Sequence, residues 1–487
     1  MSEGRKTYYA IIILQAVILV FAVLIGHSLG KSQIRESLGI RPDMVDEVML
    51  YIKEKYKDEN VDTEKLVYGS VKGMVAALDD PYSQFMNPET YAETMEDTSG
   101  KFGGLGIEIS LTNMNGYERL TVMSVLGDDT PAYKAGVETG DYIIAIEGES
   151  TMGISLEKAK QKLRGEPGTK VEITVLREGE DNPVDIVVTR GIIQAPTVEY
   201  RILENDVGYL RIKQFSDTTP KDVDKALDDF EDAKIKGIVL DLRSNPGGTL
   251  SAAVEVSSDF LKQGQLVVYT KHRNEEDNRE FRVKKDSPHP WHPLVVLVDH
   301  WSASGSEIVV GAIKDHKRGL IIGGEKPTFG KGSVQTIFPL SDGKSGLKLT
   351  VADYYTPNGI NINKVGIIPD VKYPGLTLTS SEARIYRKLR ISDSLENFIN
   401  EAGDDVLYRL EESNSNGDDE EDDSTQKMFE SFVKKLGEED IILSESLIKL
   451  AIAQKTENED DEYEYDPVIR FAINHLRAFD VLGLARN

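Results

Sequence analysis

The chain has 487 residues, no cysteine, and 83 acidic against 57 basic side chains, giving a formal net charge of −26. That length calls for several domains. The missing cysteine excludes disulfides, thiolate catalysis and cysteine-held metals, and the acidic balance repels phosphate backbones, so no nucleic-acid partner is expected.

Arg5 and Lys6 precede an apolar run, residues 8–26, whose one strongly polar member is Gln15. A run of about 19 residues is close to the roughly 20 that cross a bilayer as a helix. Residues 1–30 are therefore expected to form a membrane anchor, with the membrane a partner through 8–26. A cleaved signal is the alternative, although Ile25-Gly26-His27-Ser28-Leu29-Gly30 is a poor cleavage site.

Residues 31–98 read as a helical N-terminal region. Val45, Val48, Met49, Ile52 and Tyr56 recur at helical spacing, and so do Leu66, Val71, Met74 and Leu78. A packing or self-association module without chemistry is expected here. Residues 99–195 change to short strands, at 106–110, 119–125, 142–146, 170–176 and 183–189. In Gly103-Gly104-Leu105-Gly106-Ile107 the glycines allow backbone N–H groups to converge on a carboxylate, and the strand that follows offers an edge to a peptide. Together with Pro131-Ala132-Tyr133-Lys134-Ala135-Gly136-Val137 and Gly140-Asp141-Tyr142-Ile143, this segment resembles a PDZ domain of the bacterial kind.

Residues 196–375 alternate strand and helix, the pattern of an α/β core. Strands are expected at 207–215, 237–242, 264–270, 294–298, 319–323, 334–340 and 346–351. Thr219 and Pro220 are expected to cap and open one helix; others are expected at 250–261 and 307–316. Asp241-Leu242-Arg243-Ser244-Asn245-Pro246-Gly247-Gly248 closes a strand before a helix, and its glycine pair can offer an N–H to an oxyanion. Residues 376–487 read as helices broken by acidic tracts, with 411–425 expected to be a disordered, solvated insertion. No calcium loop or other metal site is indicated, and no cofactor is expected.

The stretch 299–335 carries the candidate chemistry. A serine nucleophile needs a base and an oxyanion hole. Ser304 stands at the start of a helix, where the next N–H, that of Gly305, is free for an oxyanion. Equally, Ser304 and Glu307 read as a capping box. Ser306 is the next candidate. For the base, Lys331 lies between Gly330 and Gly332, and a lysine serves if it is held neutral. His300 and His316 flank the serines and leave a serine–histidine pair open.

The chain resembles the C-terminal processing peptidases, or tail-specific proteases, of the serine/lysine type. The motifs span roughly residues 35–375. In order they are Leu78-Asp79-Asp80-Pro81-Tyr82-Ser83, the PDZ signature, Asp241-Leu242-Arg243 with Pro246-Gly247-Gly248, residues 302–308, and Thr328-Phe329-Gly330-Lys331-Gly332 with Gln335. Gly366-Ile367-Ile368-Pro369-Asp370 completes the series. The resemblance implies Ser304 as nucleophile, Lys331 as general base and Gln335 as the residue that positions it. It puts the oxyanion on the N–H of Gly305 and of Gly247 or Gly248. It implies that Gly104, Leu105, Gly106 and Ile107 bind the peptide, and that Arg164 couples peptide binding to activation.

The implied fold is a multidomain α+β chain: a crotonase-like α/β protease core with an inserted PDZ domain, helical N- and C-terminal regions and an N-terminal membrane helix. The implied function is an endopeptidase cutting proteins near their C-termini, outside the cytoplasm. Partners would be substrate tails, a second copy or larger homo-oligomer, and an adaptor protein. A catalytically inactive PDZ scaffold is the alternative, and an acyl-thioester enzyme on the same core a third. Two departures stand out: Gly305 replaces the usual alanine, and Gly323-Gly324-Glu325-Lys326-Pro327 is two residues longer than the common form.

Overall fold

The computed structural model describes residues 43–481 apart from 115–116, 178, 181, 290–291, 374–379, 404–405, 408, 411–419 and 457–465. The expected membrane segment 1–30 lies outside them. Among the described residues, no helix is long and apolar enough to cross a membrane.

The chain divides into two compact units. The smaller comprises the N-terminal residues to Asn87 together with Ile337–Leu349; the larger holds the remainder. Residues 337–349, expected within the core, thus belong with the N-terminal helices Asp43–Lys55 and Thr63–Ala76. Strand pairing causes this: Gln84, Phe85 and Met86 run antiparallel to Lys348, Leu347 and Gly346. No short-range pattern announces such a long-range pair.

Within the larger unit, the PDZ segment forms a sheet in the order Ile107–Met114, Tyr117–Val125, Tyr142–Ile146, Lys170–Leu176 and Val184–Thr189. Lys170–Leu176 alternates exposed with buried residues, and Val171, Ile173 and Val175 enter the domain's core. Lys101–Gly104 pairs with Gly191–Gln194 at the domain's start and end.

The core sheet has six strands in sequence order: β1 (Val198–Leu203), β2 (Val207–Ile212), β3 (Gly237–Asp241), β4 (Leu294–Val298), β5 (Leu320–Gly323) and β6 (Val371–Lys372). β1 is antiparallel to β2; every later neighbour is parallel. All five residues of β3 and of β4 are buried, as expected for parallel strands covered on both faces. One face packs on α1 (Thr219–Ala233), α2 (Leu250–Phe260) and α3 (Gly305–Asp315). Residues of opposite pleat, including Tyr209, Val239, Val295 and Leu297, meet Ile469, Ala472, Ile473 and Leu476 of the C-terminal helix Pro467–Val481. The start of α1 differs from expectation. Thr218 is the cap, and the Thr219 hydroxyl instead accepts the Ser216 N–H at 2.9 Å.

The C-terminal region has its own core, built on residues such as Leu395, Phe398, Phe432 and Ile448. The disorder expected over 411–425 fails at its far end: residues 420–425 open the helix Glu420–Glu438. The apolar positions of its later turns, Phe429, Phe432 and Leu436, hold it against that core. Residues 411–419 lie outside the described set.

Leu476 is 3% exposed and seats against Gly237. Leu476→Ala is expected to cost about 2–5 kcal/mol, read as a lower midpoint in urea denaturation. An unchanged midpoint would mean that the C-terminal helix contributes nothing to the sheet.

Candidate active site

β3 and β4 are neighbours, and their C-terminal ends feed the two loops that build the site. The first is the glycine turn 242–249. Asn245 is fully buried and ties it down. Its amide donates to the Ile212 carbonyl at 2.7 Å, and its side-chain oxygen accepts the Gly247 N–H at 2.8 Å. Its backbone carbonyl accepts both the Ala303 N–H and the Ser306 hydroxyl at 3.0 Å. Ser306 is thereby a buried structural tie. Ser302 is another, its hydroxyl donating to the Leu242 carbonyl at 2.8 Å.

Gly247 and Gly248 are required by space. A Cβ at Gly247 (φ +97°) would lie 2.7 Å from the Cβ of Ser304 and 2.6 Å from the Gly305 nitrogen. A Cβ at Gly248 (φ +148°) would lie 1.9 Å from the Phe215 carbonyl oxygen. The two differ in what their N–H groups do. That of buried Gly247 is committed to Asn245; exposed Gly248 has no acceptor for its N–H among the described residues. Gly248 and Gly305 are thus the pair available to an oxyanion.

The second loop leaves β4 and delivers Ser304, half-buried at the start of α3. Its backbone, φ +53° and ψ −112°, is far from the extended conformation of an ordinary helix cap. A non-glycine residue in this region stores strain, which persists only where surroundings impose it. Here they do. The Ser304 N–H donates to Glu307 Oε2 at 2.9 Å, and Ala303 before it is held by Asn245.

Glu307 is fully buried and joins the serine to the lysine loop. Its Oε1 accepts the Thr328 hydroxyl at 2.5 Å and the Gly330 N–H at 2.7 Å. Its Oε2 accepts, besides Ser304, the Lys331 N–H at 2.9 Å. Burial raises this carboxyl above the ordinary glutamate range, opposed by those four donors. The lysine loop is pinned elsewhere too. Phe329 N–H donates to the Ser302 carbonyl, and Lys364 N–H to that of Gly330. A Cβ at Gly332 would lie 2.3 Å from the Asn363 nitrogen. The two extra residues before Thr328 therefore leave Lys331 tied to the carboxylate that holds Ser304.

Tyr354, 3% exposed, closes the arrangement. Its hydroxyl lies 2.6 Å from the Lys331 carbonyl and 3.2 Å from Ser304 Oγ. One phenol proton serves one acceptor, so with that proton on the carbonyl the Ser304 hydroxyl is left to donate to the phenol oxygen. The Gln335 amide donates to Ser333 Oγ at 2.9 Å and Thr350 Oγ1 at 3.2 Å.

Both histidines are occupied elsewhere. His316 Nε2 lies 2.7 Å from the Leu266 carbonyl, and its Nδ1 3.1 Å from Gln265 Nε2. His300 Nδ1 meets the Pro327 carbonyl at 3.0 Å. The serine–histidine pair left open by the sequence is not formed. In the PDZ segment, Leu105 and Gly106 have no acceptor for their N–H groups among the described residues. Gly104 stands in the paired strand before them and Ile107 opens the strand after. Arg164 lies over the Phe102 ring at 4.2 Å and pairs with Glu96 at 3.3 Å.

Sequence reasoning missed Asn245 and Tyr354, and saw Glu307 only as a cap partner. Their one local signal is position: Asn245 inside the glycine turn, Glu307 three residues after Ser304, and Tyr354 three residues past the strand expected at 346–351, which the structure extends to Tyr355.

Residues 206–373 match Peptidase family S41, 122–177 a PDZ domain, and 30–90 the activating protease CtpB N-terminal domain. A carboxy-terminal-processing protease of Bartonella bacilliformis is 42% identical over 336 residues, 66% of this chain and 75% of its own. The chain belongs to the C-terminal processing peptidase family. It is a serine-type protease, which sets aside the inactive scaffold and the acyl-thioester enzyme. A probable CtpA-like serine protease of Staphylococcus epidermidis is 31% identical over 90% of this chain and 92% of its own. Among solved structures, a photosystem II D1 C-terminal processing protease shares 31% identity over 68% of this chain and 87% of its own, with a TM-score of 0.39.

Glu307→Gln keeps the shape but replaces an acceptor oxygen with an N–H donor, leaving one or two buried donors without a partner at about 1–3 kcal/mol each. A lower melting temperature, with peptide hydrolysis down at least about tenfold, is the expected outcome. Full activity at unchanged stability would show that the carboxylate is not what holds the site.

Proposed function

We propose that the protein is an endopeptidase with a serine/lysine dyad that cuts proteins near their C-termini. The observation that carries this reading is the shared anchorage of the two residues. Ser304 and Lys331 donate their N–H groups to one buried carboxylate oxygen, and one tyrosine hydroxyl reaches both Ser304 Oγ and the Lys331 carbonyl.

In the proposed reaction, neutral Lys331 takes the Ser304 proton as Oγ attacks the scissile carbonyl. The oxyanion is stabilised by the N–H groups of Gly248 and Gly305. Collapse breaks the C–N bond, and Lys331 returns its proton to the leaving amine. Water then attacks the acyl-serine, giving its proton to Lys331 and releasing the carboxylic acid as Ser304 is reprotonated. Gln335 positions the lysine side chain. The core is crotonase-like and lies within 196–375, residues 337–349 excepted.

The PDZ domain, within 99–195, captures the substrate tail and gates activity. The open N–H groups of Leu105 and Gly106 support a carboxylate site bounded by Gly104 and Ile107. Arg164, engaged by Glu96 and Phe102, is the coupling residue. The segment 1–30 anchors the protein through 8–26, with the catalytic part outside the cytoplasm. Residues 31–98 and 376–487 are the helical N- and C-terminal regions. Ser304→Ala and Lys331→Ala, with unchanged melting temperature, are each expected to lower cleavage of tailed substrates by at least about a thousandfold. Wild-type cleavage should rise through alkaline pH. A plateau set by an ionisation near the histidine range would sink the lysine base.

We further propose that the N-terminal helices self-associate. Met44, Val48 and Met74 are each more than half exposed, and Val45, Val48, Ile52 and Leu66 line an apolar groove of about 310 Å³. A second copy is the proposed occupant. Analytical ultracentrifugation should show a dimer or larger assembly that Val48→Asp with Met74→Asp dissociates. A monomer at all concentrations would overturn this and leave an adaptor protein as occupant of the face.

A further inference from the structure

A cavity of about 620 Å³ lies among α1, α2 and the strand Arg279–Arg282 with the loop that follows. Its volume falls within the roughly 300–1,000 Å³ of small-ligand pockets. α1 supplies Asp224 and Asp228, one turn apart; α2 supplies Glu255 and Asp259, also one turn apart. Two helices thus aim four carboxylates at one space. None of the four has a lysine or arginine ion pair among the described residues.

The second observation is His289, which lines the same cavity. Its side chain is 6% exposed, and neither ring nitrogen has a hydrogen-bond partner among the described residues. The neighbouring oxygens, Asp224 Oδ1 at 3.6 Å and Asp228 Oδ1 at 3.7 Å, stand beyond hydrogen-bond reach. A buried imidazole left open in this way carries a desolvation cost, and an entering donor satisfies its acceptor nitrogen. None of the four carboxylates forms an ion pair with a lysine or arginine among the described residues, although Lys285 lines the same cavity. Burial, then Asp224 and Glu255, push Asp259 up to about 8, opposed by Lys285.

The shape selects the class of cation. No three His, Asp or Glu side chains converge on a metal position among the described residues, and the volume is far larger than one ion. Val254 and Phe281 give the cavity apolar wall beside the carboxylates. A cationic head on an aliphatic stem fits both.

We propose that this cavity binds an alkyl-ammonium or alkyl-guanidinium group, the chemistry shared by a lysine or arginine side chain of a polypeptide and by a free polyamine. The head sits among Asp224, Asp228 and Glu255, with His289 as a further acceptor. The stem lies on Val254 and Phe281. Lys284 and Lys285 also line the cavity, while Arg282 is spent on Glu280 and the Gly264 carbonyl, so a ligand carrying acceptor groups as well as a cation meets partners for both, which favours a polypeptide over a polyamine. The site stands apart from the serine: no residue of the catalytic arrangement lines it. It therefore does not depend on the proposed dyad.

The test is isothermal titration calorimetry on the full chain carrying Ser304→Ala, which prevents turnover of the probe. Separate arms use argininamide, a blocked hexapeptide containing Arg and Lys, spermidine, and, as controls, a blocked Glu-containing hexapeptide and magnesium chloride. Saturable binding is expected in at least one cationic arm and not in the controls. Asp224→Asn with Asp228→Asn should weaken it at least about tenfold, the loss of one charged hydrogen bond. His289→Phe is the second variant, used with a melting curve as a check of folding, and should weaken binding in the same arm. Tighter binding of the hexapeptide assigns the site to polypeptides; tighter binding of spermidine assigns it to polyamines. No saturable binding in any cationic arm, equal affinity in the folded variants, or binding of magnesium alone would overturn the proposal.

Discussion

One buried carboxylate holds the candidate catalytic centre together. Glu307 sits in the first turn of α3, completely out of solvent, and both of its oxygens are spent on donors from two loops. A carboxylate in such a place would be costly if left alone. Satisfied, it becomes a rigid joint, because Oε2 takes one donor from each loop and Oε1 two more from the lysine loop, in a water-poor environment. Removing any partner leaves a buried charge short of a bond, which is why the serine and lysine loops have little freedom to separate. The strain at Ser304 follows from the same joint, which fixes its N–H while Asn245 fixes the residue before it.

The sheet decides where that joint can exist. β3 and β4 are adjacent and parallel, so their C-terminal ends emerge side by side. One leads into the glycine turn and the other into the serine loop. Open α/β sheets place their sites at this end because successive loops leave there together. The covering of both sheet faces, by α1–α3 on one side and the C-terminal helix on the other, gives the strand ends a fixed frame. Arg243 adds to it: paired with buried Asp241, it also reaches Asp466 at the foot of the C-terminal helix.

Much of this arrangement is legible in the chain itself. The strand and helix alternation from Val207 onward is carried by runs too apolar to be loops. The glycines of the turn stand where a Cβ would strike backbone. The serine and the glycine-flanked lysine are visible as isolated chemistry among small residues. Less legible are pairings between distant segments. Residues 337–349 look like ordinary core sequence but belong with the N-terminal helices, because Gln84–Met86 supplies their sheet partner. The acidic tract looked unstructured on charge alone, yet residues 420–425 join a helix whose later turns carry Phe429, Phe432 and Leu436 into a core.

By itself the sequence determined the order of the domains and the residue types able to do the chemistry, because glycine at crowded turns and period-two or period-3.6 apolar patterns are local demands. It left open cap against nucleophile for Ser304, lysine against histidine for the base, and Gly247 against Gly248. Only the tertiary structure bears on these choices. It spends the Gly247 N–H on Asn245, both His316 nitrogens and His300 Nδ1 on distant groups, and joins Ser304 to Lys331 through Glu307 and Tyr354. Each outcome depends on which donor finds which acceptor across segments far apart in the chain, and no local pattern encodes that.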